Sequence, residues 1–378
     1  MTGLFSPYNL RDVAFKNRIA VSPMSQYRAK DGHANDWHMV HLGRFAMGGA
    51  GLVYAEATAV EADGRRTHGD LGIWRDAHID DLKPITGFIA EQGSVPGIQL
   101  GHAGRKASER RPWHGETPVN DEDIAERDEA PWRAIAPSAI PYADGWPAPA
   151  EMSEPDIQRV INAFGEAARR SSEAGFTVIE VYAAHGFLIH QFLSPIANRR
   201  TDQWGGNEEN RRRFAVEVAK SIRANWPERH PLAFRLSATD WLDGGIEPAE
   251  SASVAKALKA EGVDMIDCSS GGISGKERPR RMIIEQGFQA PFAEQIRNTA
   301  GIATMAVGFL WDVDFSEDLL ASGKADMIAL ARELLDDPNW PLHAAKQLDA
   351  DDNFARWPVE SGWWLMKRER LLTKLGLR

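Results

Sequence analysis

The chain has 378 residues, of which 43% are apolar and 26% charged, and its net charge is −10. This length supports a large core without a covalent staple, and the acidic balance excludes a nucleic-acid backbone and an anionic membrane as expected partners. The single cysteine, Cys268, excludes an internal disulfide, a zinc cluster and an iron–sulfur cluster.

At the start, Met1-Thr2-Gly3-Leu4-Phe5-Ser6-Pro7 lacks a basic region followed by an apolar run, so no secretory leader is expected. No apolar run approaches the roughly 20 residues that span a bilayer. These features point to a cytoplasmic protein. Short apolar or β-branched runs then recur at 18–22, 51–57, 95–100, 177–181, 232–236, 265–269, 304–307 and 327–330. Several are continuous apolar runs, as in a parallel sheet buried on both faces. Helical spacing predicts helices over 154–174, 207–226, 248–261, 291–300 and 315–321, four of them followed by Gly175, Gly262, Gly301 and Gly323. Alternating strands and helices imply right-handed crossovers. Eight repeats imply an α/β fold closed as a (β/α)8 TIM barrel, assigned to residues 1–356.

The stretch 107–150, after the third strand, has no clean period and is rich in Pro, Trp, Asp and Glu. It is expected to cap the C-terminal mouth of the barrel. The basic tail, 357–378, carries Trp363 and Trp364. It is expected either to pack on a neighbouring subunit or to form a last surface helix.

Reactive groups in such barrels sit at the C-terminal strand ends and in the loops that follow. After the first strand comes Ser22-Pro23-Met24-Ser25-Gln26-Tyr27, with two hydroxyls for the mouth, and after the second Glu56-Ala57-Thr58. Gln99 ends the third strand with a paired donor and acceptor, which suits an amide edge such as a flavin pyrimidine ring. His102-Ala103-Gly104-Arg105-Lys106 follows it. Tyr182 and His185 are three apart after the fourth strand, so two neutral donors are expected to converge on one oxygen and stabilise a developing enolate. Arg235, on the fifth, offers a fixed cation to an electron-rich ring. Ser269-Ser270-Gly271-Gly272, Gly308 and Ala331-Arg332 follow the last three strands. After the seventh and eighth strands a phosphate commonly binds, and Arg332 supplies a bidentate cation. Taken singly, each has an ordinary structural reading: a salt-bridge arginine, a loop hydroxyl, a satisfied histidine, a turn glycine, a core cysteine. The functional reading rests on their recurrence at almost every strand end.

Ordered motifs add to this. Asn17-Arg18-Ile19 through Pro23-Met24, His102-Ala103-Gly104-Arg105-Lys106, Ala184-His185-Gly186 with Gln191-Phe192-Leu193-Ser194-Pro195, Asn198-Arg199-Arg200-Thr201-Asp202 and Ala331-Arg332-Glu333-Leu334-Leu335 resemble the Old Yellow Enzyme family. Asn35-Asp36-Trp37-His38 looks closest to its bacterial xenobiotic-reductase, or thermophilic-like, branch. The resemblance implies FMN across the barrel mouth, held by Pro23, Met24, Ser25, Ala57, Gln99, Arg235, Ser270, Gly308, Ala331 and Arg332. Arg235 would face the N1–O2 edge and Arg332 the phosphate. It implies NADPH or NADH as electron donor and a small-molecule substrate, an alkene activated by a carbonyl or nitro group. Tyr27, Tyr182, His185 and Ser25 are the implied catalytic set. A homodimer or homotetramer is also implied, in which Arg368 or Arg370 of the tail would reach a neighbour's site.

Three positions depart from that branch. Ser25 stands where Cys is usual, Tyr182 where His is usual, and Phe187 where a proton-donating Tyr is usual. Phenylalanine has no proton to give. The leading expectation is an NAD(P)H-driven ene-reductase. The Tyr182–His185 pair also resembles an amine-dehydrogenase branch, which leaves an FMN dehydrogenase or demethylase acting on a ketone or N-methyl amine. A flavin-binding protein without turnover, or a flavin-free lyase, is the third expectation.

Overall fold

The structure is a computed structural model that describes residues 3–275 and 282–377. Eight parallel strands, Ile19–Val21, Leu52–Ala59, Val95–Gly101, Val178–Ala183, Leu232–Ser237, Met265–Ser269, Ala303–Ala306 and Met327–Leu330, close into one barrel. Every predicted strand is present. Closure is by the eighth strand on the first, with Ile328 opposite Ile19 and Leu330 opposite Val21. The runs read as continuously apolar because both faces are covered. On the fourth strand, Ile179, Val181 and Ala183 point out into the helix-facing core, whereas Val178 points into the lumen. The lower lumen is an apolar layer that includes Ala20, Leu52, Ala233, Met265, Met305 and Met327. A short antiparallel hairpin, Tyr8–Leu10 and Val13–Phe15, packs Val13 and Phe15 into the same layer and seals the base. Its three-residue strands are too short for a periodic signal.

All five predicted helices form, as Glu154–Glu173, Glu208–Asn225, Pro248–Ala260, Ala290–Ala300 and Val313–Ala321. Two more, Asp36–Met47 and Ala77–Glu91, follow the first and second strands, and Trp340–Gln347 after the eighth strand completes the repeat. The second contains Pro84, which lacks an N–H donor and normally marks a helix end. The first is closed by an Asn35 capping box in which His38 stands in for the usual Glu or Gln. Leu188–Leu193 is a further short helix. All six of its residues are buried, so it shows no amphipathic period. The tail folds as the helix Val359–Lys374, with Trp363 and Trp364 exposed. Among the described residues, no helix is long and apolar enough to cross a membrane.

The stretch after the third strand contains a helix, Asp121–Arg127, and a two-residue parallel pair, Ile135–Ala136 with Ala150–Glu151. Its Arg110 and Arg127 converge on the buried Asp123 at 3.1 and 2.6 Å. Trp132 donates from Nε1 to Asp63 O at 2.9 Å. Trp132 and Ala134 pack in one small cluster with Tyr182 and Phe187, which brings this segment onto the C-terminal mouth.

Candidate active site

The inward positions change character toward the mouth. Above the apolar layer stand Ser22, Gln99, Glu180, Tyr182, Arg235, Asp267 and Ser269, all from barrel strands or their first following residue. Strand pairing sets them side by side: Gln99 opposite Glu180, Tyr182 opposite Arg235, and Arg235 opposite Asp267. A cavity of about 430 Å³ opens over this layer, and His185, Arg235, Ser270, Gly308, Ala331 and Arg332 line it. The structure therefore gathers most of the expected set at one place.

Tyr182 and His185 do not converge on a common oxygen as expected; they bond to each other. Tyr182 Oη lies 2.9 Å from His185 Nδ1, and His185 Nε2 lies 2.6 Å from Ser269 Oγ. His185 adopts φ +53, and Gly186 follows at φ +77. A side chain at Gly186 would collide with the Gly272 carbonyl, so that turn requires glycine. Burial, reinforced by Arg235 and Lys106, holds the imidazole well below its ordinary range and so neutral. A neutral ring has one donor and one acceptor. Ser269 Oγ lies 3.3 Å from Gln289 Oε1, a donating contact, so it accepts from His185 Nε2–H. The ring's Nδ1 then accepts from Tyr182. Burial raises the Tyr182 phenol, with Arg235 and Arg66 opposing it. Phe187 lies against Tyr182, ring centroids 4.1 Å apart, and brings no proton.

Arg235 donates to Ser22 Oγ at 2.9 Å and stands 3.6 Å from Asp267. Gln99 turns its amide N–H into the barrel, to Glu180 Oε1 at 2.7 Å, leaving its carbonyl for a ligand. Glu180 and Asp267 are wholly buried. Sequence reasoning missed both, although they sit at inward positions two residues below Tyr182 and Ser269, where strand period 2 places them in the lumen.

The loop after the first strand is held from below. The second strand bulges between Ala55 and Ala57, which displaces Glu56. Glu56 accepts the Gln26 N–H at 2.8 Å and faces His38 Nε2 at 3.2 Å. This fixes Pro23, Met24 and Ser25, all half-buried, while Met24 packs its side chain on the helix-facing core. Tyr27 does not line the Arg235 cavity. It lines a separate cleft of about 450 Å³ with Arg28, Trp37, Arg111 and Trp113. Its hydroxyl sits 3.5 Å from Arg66 Nη1, and Arg66 is itself held by Glu109 at 2.6 Å.

The sequence of this barrel matches the model of the NADH:flavin oxidoreductase / NADH oxidase family over residues 3–351. The chain belongs to that family. It is 43% identical to an NADPH dehydrogenase of Geobacillus sp. (strain WCH70), over 96% of this chain and 99% of the relative. It is 42% identical to an NADPH dehydrogenase of Bacillus subtilis (strain 168), over 95% and 99%. Among solved structures, morphinone reductase superposes with a TM-score of 0.74 at 25% identity, covering 93% of this chain and 90% of that one. A histamine dehydrogenase from Rhizobium sp. 4-9 gives 0.73 at 27%, covering 92% of this chain and 48% of that one. The chain is thus an oxidoreductase on an Old Yellow Enzyme barrel, and its family implies FMN with a nicotinamide nucleotide as donor.

The site chemistry fits such a flavin. Arg235 Nε is buried without a hydrogen-bond partner. Gly308 lines the cavity at φ +105, a conformation that favours glycine, and a Cβ there would crowd Gln289 Nε2 at 2.8 Å. Arg332 stacks on Phe309 at 4.9 Å. The cavity is lined by two guanidiniums, Arg235 and Arg332, with the hydroxyls of Ser22, Ser269 and Ser270, groups that match a ring edge and a phosphate.

Proposed function

We propose that the chain reduces an activated C=C bond, of the enone type, with NADPH as electron donor. FMN, when bound, would supply hydride transfer between the nicotinamide and the alkene. Arg235 and Gln99 hold the pyrimidine edge, and Arg332 with the backbone at Gly308 and Ala331 holds the phosphate. Pro23, Met24, Ser25, Ala57 and Ser270 complete the cradle. The observation that carries the reading is the convergence of Arg235, Gln99 and the Tyr182–His185 pair on one rim. Tyr182 Oη–H exchanges its bond from His185 Nδ1 to the substrate oxygen and polarises it. His185, kept neutral, stays donor to Ser269 as its Nδ1 gives up the Tyr182 hydroxyl, so no charged imidazolium competes for that oxygen. With Phe187 unable to donate, Tyr182 or water supplies the proton. The 107–150 cap, through Trp132 and Ala134 packed against Tyr182 and Phe187, walls that side of the mouth. Anaerobic mixing of the reduced holoenzyme with a panel of enones is the test: reoxidation of the flavin is expected, and flavin that stays reduced across the panel removes the proposal.

One feature supports a second reading. Tyr182–His185 with an inert Phe187 suits removal of hydride from a ketone or N-methyl amine, and the similar histamine dehydrogenase is about twice as long as this chain. Bleaching of the oxidised flavin by such a compound without NADPH is its signature.

A further inference from the structure

Directly beneath the Tyr182–Arg235 layer lies a group of ionisable side chains that the proposed chemistry does not use. Glu180, Asp267 and Tyr54 are at most 1% exposed and meet inside the lumen. Glu180 sits two residues, about 7 Å, below Tyr182 on the same inward face. Its Oε1 receives Gln99, but its Oε2, both Asp267 oxygens, the Tyr54 hydroxyl and Arg235 Nε have no other hydrogen-bond partner among the described residues. Two carboxyls and one guanidinium therefore share a buried space. Two carboxylates against one cation would leave a buried uncompensated charge, at a cost of several kcal/mol.

The neutral arrangement is one proton across the two carboxyls. Burial and the facing Asp267 push Glu180 well above the carboxylate range. Burial also raises Asp267, but Arg235 opposes this and favours it as the anion. The two carboxyls face each other inside the lumen, where each shifts the titration of the other.

We propose that Glu180 and Asp267 act as a single unit holding one proton and one negative charge, which fixes the net charge around Arg235 and thereby sets the reduction potential of the flavin above it. Both are positioning residues, since they act through Arg235. The inference rests on the FMN placement given above. Arg235 stabilises negative charge on a reduced ring, and a compensating anion behind it weakens that effect. Because the charge belongs to the pair, either carboxyl can carry it.

This predicts a non-additive pattern in the midpoint potential of the bound FMN. In Glu180→Gln, Asp267 keeps the charge. In Asp267→Asn, Glu180 gives up its proton and takes the charge over. Each single variant should leave the potential close to that of the parent. The double variant removes the charge and should favour reduced over oxidised FMN at least tenfold, a positive shift of about 30 mV for a two-electron couple. Additive shifts in the single variants, or an unmoved double variant, would overturn the proposal. If the double variant does not fold, infrared difference spectra of the holoenzymes decide. A protonated-carboxyl band should be present in the parent and absent from both single variants, and its survival in Asp267→Asn refutes a shared charge. FMN binding by the apoenzyme is measured alongside. Failure to bind would sink the flavin placement, whereas binding with the wrong pattern sinks only the pair.

Discussion

The two faces of the barrel wall differ sharply within single strands. On the fifth strand, Phe234 faces the helices and is wholly buried in apolar side chains, while the next residue, Arg235, faces the lumen among Ser22, Asp267 and Glu180. The outer face answers to packing alone, and any well-fitting apolar residue serves it. The upper inner face carries polar groups that are costly to bury, and most of these are matched to a neighbour. Adjacent residues thus divide, one packing the core and the other lining the mouth cavity.

That division is open to test, and the largest effect belongs to the outer face. Phe234→Ala should cost about 4 kcal/mol in chemical denaturation through lost packing and a cavity, with the FMN affinity of the folded protein changed less than about twofold. Comparable loss of FMN affinity in this variant would break the division. Next comes Arg235→Ala, which should weaken FMN binding about 100-fold, or about 2.7 kcal/mol, read by fluorescence titration of the apoenzyme. Normal FMN content together with normal reduction by NADPH would contradict the placement of Arg235.

A smaller effect is expected at the cap side of the mouth. Phe187→Tyr should raise enone turnover roughly tenfold by restoring a proton donor beside Tyr182, with less than about 1 kcal/mol change in stability. An unaltered rate would mean that protonation does not occur there. The smallest effect sharpens the comparison through pH. Lys106 Nζ donates to the His185 carbonyl at 3.1 Å, and burial lowers its pKa from 10.5 to about 7. Below pH 7 the folded protein bears the full cost of a buried ammonium. As pH rises from about 7 to 10.5 the folded Lys106 is neutral while the unfolded one is still protonated, so this cost is relieved. The stability advantage of Lys106→Met over the parent should therefore be greatest at pH 6.5 and shrink by pH 9. An advantage that does not vary with pH would place the ammonium in solvent.

The sequence determined the barrel and several of the residues that line the cavity at its mouth. Eight apolar runs alternating with helical segments leave few other ways to bury both faces of every strand. Arg235, Gly308 and Arg332 were legible because they stand at strand ends, where such barrels keep their reactive groups. The helices Asp36–Met47 and Ala77–Glu91 were not, because Pro84 and an unusual His38 cap mask local signals that packing overrides. Tertiary structure alone decided that Tyr182 bonds to His185, that Tyr27 lines a neighbouring cleft, and that Glu180 and Asp267 meet beneath Arg235. Strand period tells which way a side chain points, but only closure of the barrel fixes which residues from distant strands share a low-dielectric space and so which of them carry charge.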